Sequence, residues 1–190
     1  MKADPRAAPA VKLIATAAAP GLFEGYASLF GVPDLGRDVV ERGAFRASLD
    51  RRGVKGVKLL WQHDPGEPIG HWLTLAEDAR GLKVRGQLNL GVGRARELHA
   101  LMRDGAVDGL SIGYRTERAR TDPRDCLRHI ARLDLWEISL VTFPMLPGAR
   151  VGSVKRDPLR APLPGPFAGR PAPDLTATIR AAAARLSASL

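Results

Sequence analysis

Apolar positions recur with a period of two along most of this chain, and with a helical period in only a few places. Lys12 to Ala18 and Leu22 to Phe30 read as two strands around a Pro20-Gly21 turn. Val57 to Trp61 is a compact apolar run of strand length. Ile69 to Ala76 and Leu82 to Leu90 follow as strands, the second alternating Leu82, Val84, Leu88 and Leu90 with polar residues and broken only at Gly86. Val107 to Thr116 is a further strand. Leu127 to Thr142, apolar at Ile130, Leu133, Leu135, Trp136, Ile138, Leu140 and Val141, is two strands or one bent one. Helical spacing is clearest in Gly93 to Asp104, where Ala95, Leu98, Leu101 and Met102 form a stripe and Gly105 supplies a stop. A shorter helix is predicted over Gly43 to Arg51, with Phe45 and Leu49 on one face. Asp34 to Asp38 reads as a polar loop, and Thr121-Asp122-Pro123 as a turn. Six or seven strands and two helices in about 130 residues predict a mainly β fold with inserted helices, a barrel or sandwich.

The pattern fails at both ends. Residues 1–10 are Ala/Pro-rich and read as a flexible N-terminus, leaving 11–155 as the folded domain. Beyond it, Pro158, Pro162, Pro164, Pro166, Pro171 and Pro173 make 156–173 a stiff, irregular linker. Leu175, Ile179, Ala182, Leu186 and Leu190 then return at helical spacing, so 174–190 reads as an amphipathic helical tail.

The formal charge of +9 suggests a nucleic-acid partner until it is divided along the chain. Residues 1–20 and 151–190 hold most of the excess, and the 130 residues between carry 20 basic and 17 acidic side chains. No run of five or more Lys/Arg occurs, so a dedicated nucleic-acid reader is excluded as the expectation. Cys126 is the only cysteine, which rules out an internal disulfide and fits a reducing compartment. No apolar run approaches the roughly 18 residues of a membrane span. Asp4, Pro5, Pro9 and Lys12 spoil a signal peptide, and a cytoplasmic protein without membrane contact is expected.

The candidate chemistry centres on Gly109-Leu110-Ser111-Ile112-Gly113. Flanking glycines keep side chains away from a hydroxyl that a substrate carbonyl must reach, and read as clearance for substrate and oxyanion. The spacing matches the G-x-S-x-G elbow of α/β-hydrolases, but those place acid and histidine after the serine, with a helix directly behind it. Here His129 is the only later histidine, and Arg115 to Arg124 does not read as a buried helix. Of four histidines, His63 stands at the end of the apolar Val57–Trp61 strand, where a rigid element delivers a side chain to a loop. His71 and His129 lie within strands and read as packed residues, and His99 as a surface residue of its helix. Glu137 is the lone carboxylate in a strongly apolar run: a buried paired acid, or the wet face of a strand. Gly91-x-Gly93 lacks the rest of a dinucleotide fingerprint, and His63, His71, Cys126 and His129 have no recognised zinc spacing. No cofactor and no metal are expected.

Five stretches together resemble a known family: GYASLFG (25–31), GAF (43–45), VKLLWQHDPGEPIG (57–70), GAVDGLSIGY (105–114) and LWEISLVTFPM (135–145). In this order they resemble the HK97-type prohead (capsid maturation) proteases of tailed phages and phage-derived gene transfer agents. The resemblance spans roughly residues 22–155. It implies a herpesvirus-protease-like β-barrel and a serine endopeptidase, with Ser111 as nucleophile, His63 as base and Glu137 as third member. Relatives with that fold use Ser-His-His, so His71 and His129 compete for the third place. The family's last motif closes on Pro-Ala-Asn-Pro, from which Pro144-Met145-Leu146-Pro147 departs. The implied partners are the major capsid protein and scaffold segments, cut inside an immature capsid in the bacterial host. Self-cleavage and homo-oligomer formation are compatible with that role, and the tail at 174–190 suits removal or capsid docking. A non-enzymatic assembly protein and an esterase are the rival readings.

Overall fold

The computed structural model describes residues 20–154, so the N-terminal segment with its Lys12–Ala18 strand, the Pro-rich linker and the helical tail lie outside the described residues. Eight strands and two helices are present among the described residues. In chain order they are β1 (Leu22–Leu29), β2 (Asp38–Val40), α1 (Arg46–Gly56), β3 (Lys58–Trp61), β4 (Asp64–Glu77), β5 (Gly81–Leu88), α2 (Gly93–Arg103), β6 (Gly109–Thr121), β7 (Arg128–Val141) and β8 (Val151–Val154). They form one sheet in the order β2-β7-β3-β4-β5-β1-β8, with β6 also paired to β7. The antiparallel β6–β7 pair occupies one whole edge of β7. On its other edge β2 runs parallel to Arg128–Ile130 and β3 parallel to Glu137–Leu140.

The sheet curls until its ends meet. Gly109 bridges Arg150, Leu110 N donates to Ala149 O at 2.9 Å, and Val151 N donates to Asp108 O at 2.8 Å. Because β8 pairs with β1, these contacts close a path from β6 back to the first strand. Inside lies the alternating set that the sequence displays, including Phe23, Ile69, Leu82, Val84, Leu88, Leu110, Leu135 and Ile138. Gly86, the one gap in the β5 alternation, sits beneath an edge-to-face pair of Phe23 and Trp72, whose centroids are 5.6 Å apart. A Cβ there would stand 2.5 Å from Phe23 Cζ, so the missing side chain is the room those rings occupy.

Helix α1 is fastened to β7 through Asp134, which is only 4% exposed. Arg52 Nε and an Nη of Arg52 donate to it at 2.8 and 2.7 Å, Arg51 at 2.8 Å and the Trp136 indole at 2.8 Å. The Arg52 hydrogen bonds, then that of Trp136, hold its carboxyl well below the usual carboxylate range despite burial.

Several expectations need correction. The 34–38 segment is not all loop, because Asp38–Val40 pairs with β7, and three residues are too few to show a period. Of the two alternatives for Leu127–Thr142, the one strand is observed, Arg128–Val141 with irregular register. On α2 the buried residues are Ala95, Leu98, His99 and Met102, an i, i+3, i+4, i+7 set, while Leu101 is 41% exposed. His99 is therefore a buried residue, placed by helical geometry rather than by polarity. His71, expected to be packed, is exposed.

Closure near β8 depends on Gly25. A Cβ at this position would collide with the Arg150 carbonyl and lie 2.8 Å from Val151 Cα, both backbone. Gly25→Ala should cost about 1–3 kcal/mol, the usual toll of overpacking, read as a lower urea midpoint at unchanged slope.

Candidate active site

Two residues, Gln62 and His63, connect β3 to β4, with Trp61 paired to Asp64 across the turn. Their φ angles are 52° and 61°, the left-handed pair of a type I′ hairpin, where Asn-Gly is usual. Side chains with a Cβ resist this conformation, at a cost on the order of 1–3 kcal/mol each. The neighbouring strand compensates. Gln62 N donates to Leu140 O at 3.0 Å, Gln62 Nε2 to Thr142 Oγ1 at 2.9 Å, and His63 N to Ser139 Oγ at 3.1 Å. Strand β7 thus clamps the turn and aims the His63 ring back over the sheet.

Glu137 reaches the same face because β7 is bulged. Gly113 pairs with Glu137 and Tyr114 with Leu135, so Trp136 has no opposite number. An extra residue turns the side chains that follow it, and Trp136 is pushed outward to 51% exposure. Glu137 Oε1 lies 2.6 Å from His63 Nδ1, and its Oε2 accepts from Ser139 Oγ at 2.6 Å. The Glu137 side chain is 13% exposed and that of His63 43%. A carboxylate can only accept, so Nδ1 carries the proton and Nε2 is left as the basic nitrogen. The hydrogen bond to Glu137 raises the His63 pKa above its ordinary value, against the opposing effect of burial and with the help of the Glu137 charge.

Ser111 stands directly opposite Ser139 in the β6–β7 register, two residues from Gly113, which faces Glu137. Alternation puts 111 and 113 on one face, and directly opposed Cβ atoms in such a pair are about 4.5–5.5 Å apart. The nucleophile candidate is therefore a neighbour of the His63–Glu137–Ser139 cluster, although Ser111 makes no hydrogen bond to His63 among the described residues. Unliganded sites commonly hold this contact loose. Ser111 is 6% exposed, and it borders a cleft of about 300 Å³ with Leu29, Val32, Asp34, Tyr114 and Met145. At the cleft's polar end Asp38 accepts from Tyr114 Oη at 2.9 Å and from Arg128 at 2.7 and 2.5 Å.

The flanking glycines do not leave space for substrate, which corrects the expectation. A Cβ on Gly113 would strike Glu137 Oε1 and lie 2.8 Å from its Cδ. One on Gly109 would meet Val141 O at 2.5 Å and Pro144 Cδ at 2.9 Å. Gly113 is the seat of the Glu137 carboxylate. Gly113→Ala should expel that carboxylate from His63 and cut kcat on the order of 10²-fold or more. Circular dichroism unlike the parent's would instead mark a misfolded variant.

Neither competing histidine is hydrogen-bonded to this cluster among the described residues. His71 lies on β4 opposite Gln87, and His129 lies eight residues from Glu137 along β7, about 26 Å at strand rise. His129 Nδ1 is instead 3.5 Å from Glu41. The residue that sequence reasoning missed is Ser139. Its signal was available in the i, i+2 spacing from Glu137, which puts both on one strand face.

Comparison with known proteins identifies the family. The profile described as "Caudovirus prohead serine protease" matches residues 10–160. The chain belongs to that family. The prohead protease of Enterobacteria phage HK97 is 38% identical over 137 residues, which is 71% of this chain and 60% of that protein. This prohead protease family member thus spans less than two thirds of the length of that relative. Among solved structures, the bacteriophage T4 capsid assembly protease gp21 superposes with a TM-score of 0.54 at 14% identity, covering 63% of this chain and 80% of that one. That likeness concerns the fold. The KSHV protease in complex with a hexapeptide phosphonate inhibitor gives 0.43 at 14% identity, covering 68% and 63%.

Proposed function

We propose that this family member is a serine endopeptidase acting on capsid or scaffold protein during prohead maturation. The observation that carries the reading is the 2.6 Å His63–Glu137 contact on the sheet face that bears Ser111. Ser111 Oγ attacks a peptide carbonyl as His63 Nε2 takes its proton, and the leaving amine recovers that proton from the imidazolium. Water, deprotonated by the same nitrogen, then frees the acyl group from Ser111. Glu137 keeps Nδ1 protonated throughout and stabilises the cation that forms in each half-reaction. No step needs a cofactor. The cleft beside Ser111, walled by Leu29, Val32 and Met145, is where a substrate side chain next to the scissile bond would lodge.

Co-expression with its cognate capsid protein tests the reading by intact mass. Discrete capsid fragments are the expected product. An intact capsid protein with hydrolysis of small esters would make this an esterase, and neither activity would leave an assembly role.

A further inference from the structure

We infer that Ser139 is a positioning residue that fixes His63 and Glu137 against each other from beneath. This deepens the proposed function and rests on it for any effect on turnover. Ser139 is fully buried, in a strand whose neighbours on the inner face are Ile138 and Leu140. Its single hydroxyl makes two contacts with two different members of the cluster. It donates to Glu137 Oε2 at 2.6 Å and accepts from His63 N at 3.1 Å.

Each contact answers a specific problem. Glu137 has one oxygen on His63, and without a second donor its carboxylate could swing about its terminal torsion. The donation from Ser139 pins the other oxygen, so the carboxylate plane is set. His63 in turn occupies a left-handed position that a side chain disfavours, in a turn without glycine. Its amide is held by the Ser139 oxygen, so the backbone and the ring of His63 are referenced to the same strand. The hydroxyl proton is committed to Glu137. Ser139 can therefore only accept from Ser111, its partner across the β6–β7 pair, and does not compete for the lone pair that must attack.

The charged group that bears on His63 is Glu137 from β7; Asp64 is next in the chain, and Lys58 of β3 stands opposite Glu137 in the register and donates to Lys55 O. Ser139→Ala leaves all of these charges in place and removes only the hydroxyl. The test follows the His63 imidazole by NMR titration in Ser111→Ala protein, with and without Ser139→Ala, so no turnover is needed. Loss of the hydroxyl should let Glu137 drift and bring the His63 midpoint down toward that of an ordinary histidine, by at least 0.3 pH unit. In the active protein the same change should lower kcat about 10-fold or more with KM within about two-fold. Ser139→Thr, which keeps the hydroxyl, should recover most of the midpoint shift. An unchanged His63 midpoint in folded Ser139→Ala protein would overturn the inference and reduce Ser139 to packing. If the midpoint moves while Ser111→Ala still processes capsid protein as the parent does, the positioning stands and the proposed nucleophile falls.

Discussion

Ser111→Ala should abolish processing, lowering the rate on the order of 10⁴-fold or more, since loss of the nucleophile removes the covalent route entirely. The measurement is the fraction of capsid protein cut after co-expression, read by intact mass against the parent. The expectation is sharp because the substitution is structurally mild. Ser111 is nearly buried, lies on a strand paired along its length, and makes no hydrogen bond that the fold needs among the described residues. Thermal stability should therefore stay close to the parent's. Undiminished cleavage by a protein of parental stability would remove Ser111 from the mechanism.

Glu137→Gln should be the second largest loss, about 10²–10⁴-fold in kcat. The amide still fits above Gly113, but it presents an N–H as readily as a carbonyl and carries no charge to stabilise an imidazolium. The effect has a pH signature. Glu137 raises the His63 pKa, so the neutral base is populated only above the ordinary histidine value, and activity should climb through an acidic limb lying above about pH 6.5. In Glu137→Gln the raising influence is gone and burial, which lowers the pKa, remains, so the limb should move to lower pH as kcat falls. The stability linkage has the complementary sign. A raised folded pKa contributes stability that is fully present below the unfolded value and is lost as pH rises through the folded one. The His63–Glu137 pair therefore stabilises the domain most where the base is protonated and idle. A limb that stays in place in Glu137→Gln would show that Glu137 does not face the working histidine.

Much of the frame was legible because strand alternation is a local property. Leu82, Val84 and Leu88 point inward as their spacing says, Gly105 ends α2 with φ +76°, and the turn expected around 121–123 falls just after it, at 123–125, between β6 and β7. The failures share a cause. Asp38–Val40 and Val151–Val154 are short strands whose existence depends on a partner far along the chain, and no period can announce them. The polarity of His99 points to the surface, whereas its position between Leu98 and Met102 on the helix puts it inside.

For the site, the sequence by itself determined the candidates. A serine between glycines, a histidine at the end of an apolar strand and a carboxylate in an apolar run are local oddities, visible without a fold. Which of them meet was decided only by tertiary structure. His63 and Glu137 are 74 residues apart, and they touch because parallel β3–β7 pairing, a left-handed turn and a bulge at Trp136 act together. Tertiary contact also chose Glu137 over His71 and His129 as the partner of His63, and it gave the flanking glycine at 113 its reason. Gly113 is small because a carboxylate lies on it, a steric fact that exists only once β6 and β7 are side by side.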